Sequence, residues 1–176
     1  SAIIFAGNRP GASSPLPGNA SSPYTEFWDG TSWTASGNYG TSSVVNMFGG
    51  GTQTAGWMCG GDADPGLKTF TNHYDGTNWT AGPAMNTARQ ALGGSGTQTA
   101  AIGFGGRSTP TVAIAEQFDG TSWTETTDIN TAGRNGLGTG TLTAGLIYGG
   151  WPRAGKTESW NGSAWTEVGD INTARA

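Results

Sequence analysis

Three glutamates are the side chains in this sequence best suited to acid–base chemistry. Glu26, Glu116 and Glu158 each stand three residues before an Asp-Gly or Asn-Gly step, and Asn72 takes the same place before Asp75. Two carboxylates that flank a glycosidic bond hydrolyse it, and an active site needs such a pair once. Because these carboxylates recur at a regular interval, we expect them to be structural partners of the arginines that also recur.

The other candidates for chemistry are isolated. His73 is the sole histidine and directly precedes Tyr74 in a predicted strand, so we expect a structural histidine and not a general base. Cys59 is the sole cysteine, which excludes an internal disulfide and a Cys/His zinc cluster. Asp62 and Asp64 offer two carboxylates, whereas Ca²⁺ takes about six or more oxygens. We therefore predict no catalytic residue, no bound metal and no cofactor.

The segments that carry these residues repeat four times. An aromatic residue, Asp or Asn, Gly, a hydroxyl residue, a spacer and Trp occupy residues 28–33, 74–79, 118–123 and 160–165. Successive closing tryptophans lie 46, 44 and 42 residues apart. This period indicates stacked or radial units that bury their apolar faces against their neighbours. The predicted turn caps are Asp29, Asp75, Asp119 and Asn161, and the tryptophans predicted to pack on the adjoining unit are Trp33, Trp79, Trp123 and Trp165.

Each repeat is predicted to be a four-stranded antiparallel meander. Apolar runs that end in Gly-Gly lie at residues 54–61, 99–106 and 143–150, and residues 1–7 are a first copy. A short apolar run bounded by glycine is typical of a strand buried on both sides. Small residues before these runs predict an inner strand at a crowded centre. The sequence thus predicts one all-β region, with repeats at 1–37, 38–82, 83–126 and 127–176.

The composition agrees with strands and tight turns. Of 176 residues, 32 are glycine and only 11% are charged, while eight Trp, six Phe and four Tyr supply the buried area that a disordered chain lacks. With a net charge of −4 and eight Lys and Arg, we expect no nucleic-acid partner. No apolar run approaches the roughly 20 residues of a membrane helix, so we expect no membrane insertion.

These repeats resemble the kelch motif, in which Gly-Gly is followed by an aromatic-Asp turn, by Trp, and then by Met or a similar residue and Arg. The resemblance covers essentially the whole chain and implies a β-propeller whose blades are the meanders. The period is nearer that of WD40 repeats, but their Gly-His element is missing. The phrasing of the repeats, such as Asn-Thr-Ala-Arg at residues 86–89 and 172–175, also resembles repeats in virion structural proteins of marine bacteriophages.

The strand inventory predicts a ring that these four repeats do not close. The first repeat begins at its second strand, and residue 176 stands where a further inner strand is expected. Propellers generally close by pairing strands from both termini in one blade, which removes an exposed sheet edge. We expect further repeats of a longer parent chain or another protein subunit to complete the ring, the longer chain being favoured. A closed four-bladed ring is the remaining arrangement.

Variable loops supply the predicted binding surface. In a meander, the loops between the second and third strands emerge on the same face as the links between repeats. These loops, at residues 8–23, 62–68, 107–112 and 151–156, vary while the strands recur, as in scaffolds that carry recognition in loops. The candidate binding residues are Arg9, Asp62, Asp64, Lys68, Arg107, Trp151, Arg153 and Lys156.

Recurrence without a unique catalytic constellation favours a non-enzymatic structural or adhesion module. The second resemblance implies a phage virion or another extracellular particle as its location. One alternative is a carbohydrate-binding, lectin-like propeller that recognises a surface glycan or receptor, with Trp151 stacking on a sugar. Another is an intracellular kelch adaptor for protein binding, which the low charge content disfavours.

Overall fold

The computed structural model describes residues 2–5, 23–40, 44–63 and 65–174, and within these ranges the secondary structure is β-strand without a helix. The strands form four antiparallel sheets, here called blades one to four. Blade one contains β1 (Ala2–Phe5), β2 (Thr25–Trp28) and β3 (Trp33–Ser36). Blade two contains β4 (Phe48–Thr52), β5 (Ala55–Cys59), β6 (Thr71–Tyr74) and β7 (Trp79–Gly82).

Blades three and four repeat this plan. Blade three contains β8 (Gly93–Thr97), β9 (Ala100–Phe104), β10 (Ala115–Phe118) and β11 (Trp123–Thr126). Blade four contains β12 (Leu137–Gly140), β13 (Gly145–Tyr148), β14 (Thr157–Trp160) and β15 (Trp165–Val168). Strands pair in chain order within each blade, which confirms the predicted meanders. In blade one the described strands are three, and β1 pairs with β2 as β5 pairs with β6.

Glycine lets the inner strands approach one another closely. The inner strand of blade three, β8, contacts both β4 and β12. A Cβ atom on Gly138 would lie 2.2 Å from the carbonyl oxygen of Gly94, and one on Gly93 would lie 2.6 Å from that of Gly136. Any side chain at these positions would push neighbouring blades apart. The predicted crowded centre is therefore present where β4, β8 and β12 converge.

Three equivalent residues connect the blades just outside this centre. Asn46, Ala91 and Asn135 each precede an inner strand by two residues and have φ angles of 55°, 52° and 56°. The backbone N–H of Ala91 donates to the Asn46 carbonyl at 2.7 Å, and that of Asn135 donates to the Ala91 carbonyl at 2.7 Å. This left-handed conformation turns each peptide group towards the preceding blade, so the links form a continuous hydrogen-bonded chain.

The outer hairpins use the predicted cap. Asp119 Oδ1 accepts hydrogen bonds from the backbone N–H groups of Thr121 and Ser122, both at 2.8 Å. The same two bonds form in the other three blades, where the acceptors are Asp29, Asp75 and Asn161. Gly120 follows with φ 97°, a conformation that favours glycine. The Thr121 hydroxyl, together with the Ser122 and Thr121 amides, lowers the pKa of Asp119 to about 2.

The hydrophobic core lies between the blades. Trp123 of blade three is 5% exposed and lies with its ring centroid 6.2 Å from that of Trp57 in blade two. Trp165 of blade four meets the Phe104 ring of blade three edge-on at 5.1 Å. Blades three and four thus each bury the first residue of their outermost strand against the preceding blade, which is how repeats with small individual cores gain stability.

Candidate functional site

The loops that follow the second strands lie beside the links between blades. Short backbone bridges pair Val45 with Asp62, Gln90 with Arg107 and Arg134 with Trp151. In each pair, one residue belongs to a link and the other begins a variable loop. We call this surface, formed by residues 62–63, 65–68, 107–112 and 151–156 and their links, the loop face.

Trp151 is the most prominent side chain of the loop face. It is 51% exposed, and the guanidinium carbon of Arg134 lies 4.9 Å from its ring centroid. This cation–π contact holds the indole in place while much of the ring stays open to solvent. An exposed aromatic ring with a fixed orientation can stack on the apolar face of a sugar or on another planar group.

The remaining predicted binding residues are less concentrated. Arg107 is exposed, whereas Asp62 and Lys68 are half-buried. Lys156 forms an exposed ion pair with Glu167 at 3.2 Å, outside the loop itself. Arg9 and Asp64 lie outside the described residues.

Arg153 lies in the interior, although the sequence places it in a variable loop. It is 2% exposed, and its Nη1 donates to Glu158 Oε1 at 2.6 Å and to the Thr131 carbonyl at 2.9 Å. These contacts join blade four to the link from blade three. The guanidinium is thus committed to a junction between blades and is not available on the loop face.

Two of the three recurrent glutamates, Glu116 and Glu158, also lie in these junctions. Glu116 Oε2 accepts from the backbone N–H of Asn86 at 2.7 Å and from Asn86 Nδ2 at 3.0 Å. Its other oxygen, Oε1, accepts from Arg89 Nη2 at 2.8 Å and from the Thr87 N–H at 3.3 Å. Both side chains of the Arg89–Glu116 pair are fully buried. Burial lowers the pKa of Arg89, and the charge of Glu116 opposes that shift.

Glu158 repeats this arrangement at the next junction with one change. Asn130 N–H donates to its Oε2 at 2.7 Å and Thr131 N–H to its Oε1 at 3.2 Å, as the corresponding groups do for Glu116. The cation, however, is Arg153. The carboxylates of Glu116 and Glu158 are enclosed by N–H donors and a guanidinium, so neither faces a cleft that a substrate could enter.

The change has a steric cause in the link. Relative to the left-handed residues Ala91 and Asn135, Gly133 stands where Arg89 stands in the preceding link. A Cβ atom on Gly133 would lie 2.1 Å from Arg153 Cδ, so Arg153 fills the space over this glycine. The two junctions place a guanidinium beside the glutamate from different segments of the chain.

The first junction has neither charge. By the same alignment on Asn46, Val44 takes the position of Arg89, and Asn72 of blade two takes that of Glu116. Val44 is 5% exposed and packs in a cluster with Tyr39 and Met58. Cation and carboxylate are therefore present together or absent together.

A tryptophan–threonine hydrogen bond provides a second junction contact. Trp79 Nε1 donates to Thr25 Oγ1 at 2.8 Å, and Trp123 Nε1 donates to Thr71 Oγ1 at 2.9 Å. Blade three carries Ala115 at the corresponding place, and the buried Trp165 Nε1 has no hydrogen-bond partner in the described part of the chain. The sequence predicted these tryptophans to pack on an adjoining blade, but the single threonines at positions 25 and 71 gave no signal of their own.

The isolated histidine and cysteine are both in packed surroundings. The His73 ring meets Phe118 of the next blade at 5.5 Å, and burial lowers its pKa. The thiol of Cys59 is fully buried, and desolvation raises its pKa to about 12. It is therefore a protonated thiol within the core at neutral pH, and thiolate chemistry requires the ionised form.

Two searches of the described ranges were negative. Residues 2–5, 23–40, 44–63 and 65–174 contain no group of three or more His, Cys, Asp and Glu side chains placed to bind a metal ion. In the same part of the chain, no helix has the length and apolar character needed to span a membrane.

Sequential four-stranded meanders, glycine-rich inner strands that converge and cores between adjacent sheets define a β-propeller fold. No protein-family model and no curated protein sequence matches the chain. Among solved structures, one described as the structure of YjhT superimposes with a TM-score of 0.80, over 99% of this chain and 69% of its own. The two sequences are 9% identical, so the likeness concerns the fold. The predicted all-β propeller is confirmed.

Proposed function

We propose that this chain is a non-enzymatic structural or adhesion module, built of kelch-like repeats and used on a phage virion or another extracellular particle. The observation that carries the proposal is the use of the repeated polar residues. Glu116 and Glu158 are enclosed at junctions, and Asp29, Asp75 and Asp119 cap turns. These five carboxylates thus stabilise the scaffold, which supports a role for the loop face in recognition.

Turnover assays test this proposal. The purified chain is incubated with a panel of polysaccharides and glycosides, and product release is measured for the wild type and for Asp62→Asn. We expect no turnover by either protein. Robust hydrolysis that is abolished in Asp62→Asn would show that a loop carboxylate is catalytic and would overturn the proposal.

One observation favours a second candidate, a carbohydrate-binding propeller. The exposed Trp151 ring, held by Arg134, is a suitable platform for stacking on a sugar. Glycan-array binding by the wild type that is lost in Trp151→Ala would support this candidate.

A further inference from the structure

The outer face of blade four is a junction surface without a described neighbour. An open pocket of about 980 Å³ lies there, lined by Leu137, Tyr148, Ile171, Asn172 and Thr173 among others. Asn172 and Thr173 are the counterparts of Asn86 and Thr87, whose backbone N–H groups bind the glutamate of the following blade. Both are exposed and hydrogen-bond to no described residue.

A buried hydroxyl on the same blade also lacks its usual partner. Thr157 begins β14 of blade four. The corresponding strands of blades one and two, β2 and β6, begin at Thr25 and Thr71. Thr25 and Thr71 accept a hydrogen bond from the tryptophan of the following blade. Thr157 is 5% exposed, yet its Oγ1 forms no hydrogen bond with any residue that the structure describes. Because buried polar atoms are normally hydrogen-bonded, the buried Thr157 hydroxyl indicates that a hydrogen-bond donor occupies the neighbouring position in the assembled protein.

Blade one presents the two complementary groups. Glu26 is the second residue of β2, the register position of Glu116 in β10 and Glu158 in β14. Its side chain is exposed and its carboxylate forms no hydrogen bond or ion pair with the described residues. Trp33 opens β3 as Trp123 opens β11, but it is 47% exposed where Trp123 is 5% exposed.

We propose that blade four of one copy of this chain binds blade one of a second copy, head to tail. In this contact Glu26 accepts from the N–H groups of Asn172 and Thr173, and Trp33 Nε1 donates to Thr157 Oγ1. The proposal deepens the structural role proposed above and rests on it.

The pairing is specific in charge as well as shape. The link after blade four has the charged pattern, since Asn172, Thr173 and Arg175 match Asn86, Thr87 and Arg89 in sequence. It therefore suits a blade that carries glutamate and not one that carries asparagine, such as blade two. Blade one carries glutamate, and a second copy of this chain provides it. Contacts of this kind are heterologous and lead either to a closed ring or to a growing filament.

Sedimentation velocity on the 176-residue chain over a range of concentrations provides the first test. We expect concentration-dependent self-association that Glu26→Gln weakens by about tenfold or more, because a charge-assisted set of hydrogen bonds is lost. Glu125→Gln is the matched control, since it removes the same charge from an exposed glutamate on the outer strand β11. A wild type that is monomeric throughout, or equal effects of the two substitutions, would overturn the proposal.

Mixing two variants tests the head-to-tail geometry. Glu26→Gln removes the negative charge from the contact surface of blade one and leaves blade four unchanged. Asn172→Asp places a negative charge on the contact surface of blade four, where it repels Glu26, and leaves blade one unchanged. Each variant alone is expected to self-associate more weakly than the wild type, whereas a mixture should form one-to-one pairs through the single intact junction with the wild-type affinity, detected by native mass spectrometry. An absence of mixed pairs would refute the geometry.

The mass of the intact native protein decides between the two sources of a neighbouring blade. A mass equal to the 176-residue chain supports a second copy, and a longer chain whose extra repeats follow blade four would overturn it. Neither substitution lies on the loop face. Failure of this assembly would therefore leave the turnover and glycan results, which test the proposed function, unchanged.

Discussion

The guanidinium groups of Arg89 and Arg153 each lie beside the glutamate of a junction, although the two residues come from different segments of a repeat. We therefore expect that, at the junction between blades three and four, an arginine at position 133 can replace the one at position 153. The perturbation is a set of three variants: Arg153→Ala, Gly133→Arg and the double variant. In the double variant, an arginine at position 133 has the place that Arg89 has in the preceding link. It can reach Glu158 and the Gly149 carbonyl, the counterpart of the Gly105 carbonyl that accepts from Arg89 Nη1 at 2.7 Å.

The magnitudes follow from burial. Glu158 is 1% exposed with Arg153 beside it, and in Arg153→Ala it keeps the hydrogen bonds from Asn130 and Thr131 but has no cation. Leaving such a charge unpaired costs about 3–5 kcal/mol of unfolding free energy. Gly133→Arg alone forces new atoms into the space of Arg153 and costs about 1–3 kcal/mol as overpacking. The double variant restores a cation beside Glu158 and removes the overlap between residues 133 and 153. Its loss of unfolding free energy should therefore be below about 2 kcal/mol.

Urea unfolding followed by tryptophan fluorescence measures these free energies. Lys156→Ala is the control, because it breaks an ion pair that is exposed at both ends and should change stability by less than about 1 kcal/mol. The expected coupling energy between positions 133 and 153 is therefore at least about 2 kcal/mol in the favourable direction. A double variant as unstable as the sum of its two parents would refute the idea that the junction needs a guanidinium at one place in space.

Three further substitutions test local features by urea unfolding. Asp119 has a pKa lowered to about 2 from 3.8, so its contribution is complete above about pH 4 and is lost as the pH falls towards 2. Asp119→Asn keeps the acceptor, as Asn161 does, and should reduce the loss of stability between about pH 4 and pH 2; an unchanged pH profile would contradict this. Ala91→Asn should stabilise the chain by about 0.5–1 kcal/mol, because asparagine tolerates the φ of 52° better than alanine, and a lower urea midpoint would count against it. Ala115→Thr should raise the free energy of unfolding by about 1 kcal/mol, because its hydroxyl gives Trp165 Nε1 an acceptor. A lower urea midpoint would contradict this and would mean that the site is too tightly packed for threonine.

Contacts between residues that are close together in the sequence, and the use of small residues in the inner strands, were predictable from the sequence. The cap by Asp29 and its counterparts needs residues two and three positions away, so its pattern is visible within six residues. The glycine-rich inner strands were predictable for a similar reason, because a central strand has neighbours on every side and small residues are needed there. The recurrence of Glu116 and Glu158 also indicated correctly that they are structural.

The parts that could not be predicted depend on distant residues. Arg134 looks like the counterpart of Arg89 in a repeat alignment, but it stacks on Trp151, and Arg153 pairs with the glutamate. The contact between Gly133 and Arg153 explains why Arg153 replaces the arginine of the link. Gly133 lies in the link after blade three and Arg153 lies in a loop of blade four, so the sequence does not show that they meet. Arg153 therefore belongs to the scaffold, although sequence variability assigned it to the binding loops.

The charged and uncharged junctions restrict how these repeats can be shuffled. If blade three were placed directly after blade one, Glu116 would face Val44 and be buried without a cation. If blade two followed itself, Arg89 would meet Asn72 and lose its carboxylate. Duplication or deletion of single repeats, the usual way in which repeat proteins change length, is thus tolerated between blades of the charged kind and penalised at the first junction. The order of the blades is encoded in their contacts as well as in their connection along the chain.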